Sequence, residues 1–121
     1  MSVDTIQGQW PTLKVGGEID LSNIDDLRTA IDNALSRSPM GFIVDLTGIS
    51  YIDSAGVAVI IGAYRRVSKA GGMLAVVKPK HEGVRRVLDL IGLHMLPSIV
   101  VTDGLSEAEE ALSTRAPKPS I

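Results

Sequence analysis

Three short apolar runs, Phe42 to Leu46, Met73 to Val77 and Ile99 to Val101, are separated by segments in which apolar residues recur every three or four positions. A strand that is apolar on both faces must be covered on both faces. Helices that cross over from one parallel strand to the next provide that cover, and such crossovers are right-handed. The alternation restricts the chain to an α/β domain built on a mostly parallel sheet.

The helical periods are set by Ile24, Leu27, Ile31, Ala34 and Leu35 before Ser38-Pro39, and by Val57, Ile60, Ile61, Tyr64 and Val67 before Gly71-Gly72. Val84, Val87, Leu88 and Ile91 before Gly92-Leu93 set a third, and Leu105, Ala108 and Leu112 after Asp103 a fourth. Ser22 and Asp25 form a capping-box variant that is expected to open the first helix, and Asp103 is expected to open the last. In the second helix, Gly62 costs on the order of 1 kcal/mol relative to Ala, so Ala58 and Gly62 are expected to serve close approach of helix to sheet.

Ahead of the helices, alternation around Ile6 to Trp10 and from Leu13 and Val15 to Gly16-Gly17 predicts two strands joined near Pro11. Phe42 to Leu46 is read as a strand and Thr47 to Asp53 as the loop that follows it. The expected fold is a single α/β domain, a mostly parallel four- to five-stranded sheet with an N-terminal edge hairpin and four helices. It spans residues 1–113, with residues 114–121 as a flexible C-terminal tail containing Pro117 and Pro119. At 121 residues and 45% hydrophobic content, the chain has the material for one buried core.

Other features narrow the function. A net charge of -2 and 3% aromatic residues argue against direct nucleic-acid binding, which needs basic groups and stacking platforms. The absence of Cys removes disulfides and thiolate metal sites, and His81 and His94 lack the companions of a ligand set, so no metal or other cofactor is expected. No phosphate-binding glycine loop or nucleophile elbow is present, and the chain is read as a non-enzyme. A phosphotransfer receiver would need a Lys near the end of the last strand, where Thr102-Asp103 stand instead. Asp45 is therefore read as a buried or loop-anchoring carboxylate. No window approaches the roughly 18 apolar residues of a membrane span, and the first residues lack a secretion signal. A cytoplasmic protein without membrane insertion is expected.

In parallel sheets, functional groups gather beyond the carboxyl ends of the strands, which singles out Gly17 to Ser22 and Thr47 to Gly56. Within the second segment, Asp53 and Ser54 are two potential helix caps in succession, one more than a helix start requires. With Asp53 as cap, accepting from the backbone N–H of Ala55 or Gly56, the Ser54 hydroxyl is left free on the first turn. Phosphate there would be tolerated by roughly 0.3–1 kcal/mol at the positive end of the helix. It would also add about -1.5 to -2 charges to the surface. Simple capping by Ser54 is the competing reading.

Gly17-Glu18-Ile19-Asp20, Val44-Asp45-Leu46, Ile52-Asp53-Ser54-Ala55-Gly56-Val57, Gly71-Gly72-Met73-Leu74 and Val87-Leu88 through Gly92-Leu93 occur in this order along nearly the whole chain. In that combination the chain resembles the STAS domain family, specifically its free-standing bacterial anti-sigma factor antagonists. The resemblance implies that Ser54 is phosphorylated by a partner that is both anti-sigma factor and serine protein kinase. It implies that the unphosphorylated form binds that partner and frees a sigma factor, with a phosphatase as a further partner. It also implies a partner-binding role for Asp20, Asp53, Ser54 and Gly56. Many members carry Ser or Thr where this chain has Ala55, so Ser54 is the one hydroxyl in the signature. The alternative within the same family is a regulatory subunit of a membrane lipid transport complex, in which Ser54 only caps a helix.

Overall fold

The computed structural model describes residues 1–116. Five strands, β1 (Ser2–Ile6), β2 (Thr12–Ile19), β3 (Gly41–Ile52), β4 (Met73–Val77) and β5 (Ile99–Thr102), form one sheet in the order β1-β2-β3-β4-β5. β1 is antiparallel to β2, and every other pairing is parallel. Helices α1 (Ile24–Arg37), α2 (Ser54–Lys69) and α3 (Glu82–Ile91) connect successive parallel strands, and α4 (Leu105–Arg115) follows β5.

Because the strand order follows the sequence order, right-handed crossovers must place α1, α2 and α3 on the same face of the sheet. The larger core lies there, with Leu27, Ile31, Ile60, Val67, Val84 and Leu88 packed on Leu13, Phe42, Val44, Leu46 and Leu74. The opposite face is left to α4. Ala108 and Leu112 bury Ile43, Ala75, Val77 and Val100, and Trp10 closes the end of this second core while its indole Nε1 donates to Ser113 Oγ at 3.3 Å. Two covered faces account for the unbroken apolar runs of β3, β4 and β5.

The structure departs from the sequence expectations at several boundaries. The first strand lies at Ser2–Ile6, and the alternation up to Trp10 instead reflects Trp10 folding onto α4. β2 and β3 both extend beyond the expected ends, so Thr47 to Ile52 is strand. Gly16, Gly17, Glu18 and Ile19 pair with Gly48, Ile49, Tyr51 and Ile52 through two register irregularities, which turn the alternation off its simple period and hide the strand. Asn23, not Ser22, precedes α1, and Gly104, not Asp103, precedes α4, while Asp103 pairs with Arg85. Asp45 is buried, as expected, and its Oδ1 accepts from the Thr47 N–H at 2.9 Å, a bond within β3 that anchors no loop.

Gly62 also differs from expectation. No atom lies within 4 Å of where its Cβ would stand, and Ala58 beside it is exposed, so neither residue serves close packing on the sheet. At the other end of the chain, α4 reaches Arg115 and Ala116 is buried, so the expected boundary at residue 113 falls within the helix. The remainder of the expected tail, residues 117–121, lies outside the described residues.

Candidate functional site

β2 and β3 end side by side, and the loops that leave them meet at Asp53. Its backbone N–H donates to the Ile19 carbonyl at 3.1 Å, extending the pairing by one residue. Its side chain then holds two elements together. Oδ1 accepts from the Gly56 N–H at 3.0 Å and caps α2, while Oδ2 accepts from the Leu21 N–H at 3.1 Å and fixes the β2–α1 loop. Capping of α2 by Asp53 is the arrangement anticipated from sequence. The link to Leu21 is not, since it joins positions 32 apart.

Gly56 lies beneath this junction. A Cβ there would stand 2.7 Å from Ile52 Cγ1 and 2.8 Å from Ile19 Cγ2, so only glycine lets the first turn of α2 rest on the strand ends. The residue is buried. Sequence reasoning placed Gly56 among the partner-binding residues, whereas the geometry gives it the task of seating α2 under the exposed face.

The β2–α1 loop is closed by its own side chains. Asp20 Oδ1 accepts from the Ser22 N–H at 2.9 Å and from the Ser22 hydroxyl, and these bonds, the hydroxyl's foremost, hold the Asp20 carboxyl below its ordinary value. Asn23 Oδ1 accepts from the Asp20 N–H at 3.1 Å, and its Nδ2 donates to the Glu18 carbonyl at 2.9 Å. Asn23 thus spends its side chain on the loop and makes no side-chain cap for α1. Sequence reasoning passed over Asn23 and took Ser22 as the cap. The signal available was Asn directly before a helical period, a preferred cap type in the wrong register for the box that was chosen.

Ser54 is the first residue of α2, exposed, with its hydroxyl not used by the cap. The first turn of α2 holds no acidic residue of its own, and the anion at the positive end of the helix is the Asp53 cap. Beside Ser54 opens a shallow, mainly apolar cleft of about 370 Å³, lined by Ile52, Asp53, Ser54, Val57, Val87 and Ile91. The site therefore brings together Asp20, Asp53 and Ser54 over a buried Gly56. Among the described residues, no group of three or more His, Asp or Glu could hold a metal ion, and no helix is long and apolar enough to cross a membrane. What the arrangement offers chemically is an accessible hydroxyl at a helix N-terminus, flanked by a rigid acidic loop and an apolar cleft.

Residues 2–108 match the sequence model of the STAS domain. An anti-sigma F factor antagonist of Paenibacillus polymyxa is 34% identical over 90 residues, covering 72% of this chain and 74% of the relative. Among solved structures, an anti-sigma factor antagonist from Mycobacterium paratuberculosis superposes with a TM-score of 0.79 at 24% identity, covering 93% of each chain. The Bacillus cell fate determinant SpoIIAA in its phosphorylated form gives a TM-score of 0.64 at 21% identity, covering 90% of this chain and 96% of that one.

Proposed function

The chain belongs to the STAS domain family, and from that premise we propose that it is an anti-sigma factor antagonist switched by phosphorylation of Ser54. In the unphosphorylated state it binds an anti-sigma factor that is also a serine kinase, and the sigma factor held by that protein is released. Phosphorylation of Ser54 ends the binding, and a phosphatase restores it. The role is regulatory and asks for no catalysis by the chain itself.

One observation carries the reading: Asp53 makes the cap, so the exposed Ser54 hydroxyl at the head of α2 has no part in it. A serine needed only to cap the helix would accept the Gly56 or the Val57 N–H, and both go to Asp53, the first to its Oδ1 and the second to its carbonyl. Dianionic phosphate on that hydroxyl would sit at the positive end of α2, where it is tolerated by the fold, yet would change the charge and bulk of the face. The names of the relatives, and the existence of a phosphorylated form of a protein with this fold, support the same reading. Asp20, held in the adjacent loop with its carboxyl kept ionised, supplies a fixed charge that orients the partner.

The test uses the purified chain and, one at a time, the purified anti-sigma factor kinases of its source genome. One of them should bind the chain without ATP and, with ATP, add a single phosphate that is absent in Ser54→Ala. Ser54→Ala should keep binding, and Ser54→Asp should bind more weakly. Asp20→Asn should bind more weakly, with a melting temperature only slightly lowered, since the Asn oxygen can still accept from Ser22 while the charge is lost. No binding to any of these proteins, with recovery of the chain alongside a transport ATPase, would replace this reading by that of a transporter subunit.

A further inference from the structure

β1 forms one margin of the sheet, and among the described residues it pairs only with β2, so one edge of its backbone is open. Such an edge offers N–H and C=O groups to any extended chain, and proteins commonly blunt it with Lys, Pro or a bulge. β1 has neither Lys nor Pro, and its register against β2 is unbroken from Ser2 to Ile6. The other margin is better guarded, since the residues of β5 are buried or half-buried.

Beside the open edge runs a groove of about 340 Å³ between β1 and α1. As a crossover helix α1 runs against β2, and so in the same direction as β1. Val3 and Thr5 form the strand wall, and Asp26, Thr29 and Asn33, one face of the helix at i, i+3 and i+7, form the other. Asp26 in the first turn therefore flanks the start of β1. On the far face of the strand, a row across the sheet runs Asp45, Lys14, Asp4. The row alternates in sign and ends at the open edge on an exposed carboxylate. Only a basic residue continues it.

We propose that this edge is a docking site for an extended, basic segment of a partner protein, which adds to β1 as an antiparallel strand. Its main-chain groups bond the open edge, and its side chains alternate between the groove and the far face. One basic side chain meets Asp4, and another, three residues on, lies in the groove beside Asp26. A second copy of the chain is the poorer occupant, because matching the two β1 strands over their full length about a two-fold axis sets the two Asp4 side chains against each other. The groove shares no lining residue with the site of Asp20, Asp53 and Ser54, so the contact is additional to the switch proposed above and does not depend on it.

The probe is the end-blocked peptide Val-Lys-Thr-Val-Lys, in which the first Lys is placed to meet Asp4 and the last to lie beside Asp26. Titrated into the isotope-labelled full chain, it should give saturable NMR shifts at the β1 amides. Two forms of the peptide, methylated on the backbone nitrogen of Thr or of the Val after it, should differ in affinity about tenfold or more, since adjacent N–H groups of a strand point to opposite edges. Replacing both Lys by Glu should weaken binding about tenfold or more, and Asp4→Asn combined with Asp26→Asn should weaken the Lys peptide about fivefold or more. Both carboxylates are exposed, so the melting curve of that variant should stay close to that of the wild type. No saturable shift at β1, equal binding of the two methylated forms, equal binding of the Lys and Glu peptides, or wild-type affinity in the double variant each overturns the inference. Sedimentation of the chain as a dimer, with every β1 amide protected from hydrogen exchange, overturns it in favour of a second copy.

Discussion

Asp53 and Ser54 are adjacent residues of the same capping class, yet the structure gives them opposite energetic weight. Asp53 accepts a backbone N–H from each of two elements, whereas Ser54 accepts none of the cap's bonds. Asp53→Ala should therefore lower unfolding stability by about 1–3 kcal/mol in a urea titration, the range of a lost cap plus a lost charged hydrogen bond. Ser54→Ala should stay within about 0.5 kcal/mol of wild type. A loss of about 1 kcal/mol or more in Ser54→Ala would restore serine as the cap. Asp20 adds a pH dependence. Its folded value is depressed by the Ser22 hydroxyl and by backbone N–H groups, so the stability it contributes is complete above the ordinary carboxylate value near 4 and fades as pH falls through the folded value. Ser22→Ala should raise the Asp20 titration midpoint, followed by carboxyl-carbon NMR, toward that ordinary value. At this scale the sequence showed the cap and the free hydroxyl, because both follow from local spacing. It did not show Leu21 bound to Asp53, because nothing in either residue marks a partner across the fold.

At the scale of elements, α2 carries two glycines that a propensity argument treats alike and the structure separates. A methyl group at Gly56 would overlap Ile52 and Ile19, both branched and packed, whereas one at Gly62 would meet open space. Gly56→Ala should cost about 1–3 kcal/mol by overpacking and lower the melting temperature. Gly62→Ala should raise stability by up to about 1 kcal/mol, the helix propensity gained without a clash. Equal effects of the two replacements in thermal melts would contradict this geometry. The sequence made Gly62 a packing residue because helical period alone cannot say how far a neighbour lies. The same limit explains β3: its apolar start was legible, but Gly48, Ile49, Tyr51 and Ile52 keep pairing through irregular register with Gly16, Gly17, Glu18 and Ile19, where a period of two is broken.

At the scale of the molecule, the connection rule settles more than any local signal. Sequential parallel strands with right-handed crossovers commit α1, α2 and α3 to one face, and α4 alone answers for the other. The α/β class and the edge hairpin were therefore legible in the order of apolar runs. The part of Trp10 in the second core was not, since its contact with Ser113 spans 103 positions. Leu112 is fully buried in that second core, and Leu112→Ala should cost about 2–5 kcal/mol in a urea titration. A cost under about 1 kcal/mol would mean that α4 is dispensable to the sheet.

The order of synthesis gives α4 one more consequence. Every strand that it covers leaves the ribosome before it does, so the far face of the sheet is apolar and bare until the segment from Leu105 to Ala116 emerges. At translation rates of about 5–20 residues per second that interval lasts on the order of a second. It is long enough for a chaperone to bind the nascent chain and far longer than a helix takes to form. The newly made protein is thus exposed to self-association for as long as α4 is delayed, and a slow codon stretch within that helix would prolong the hazard.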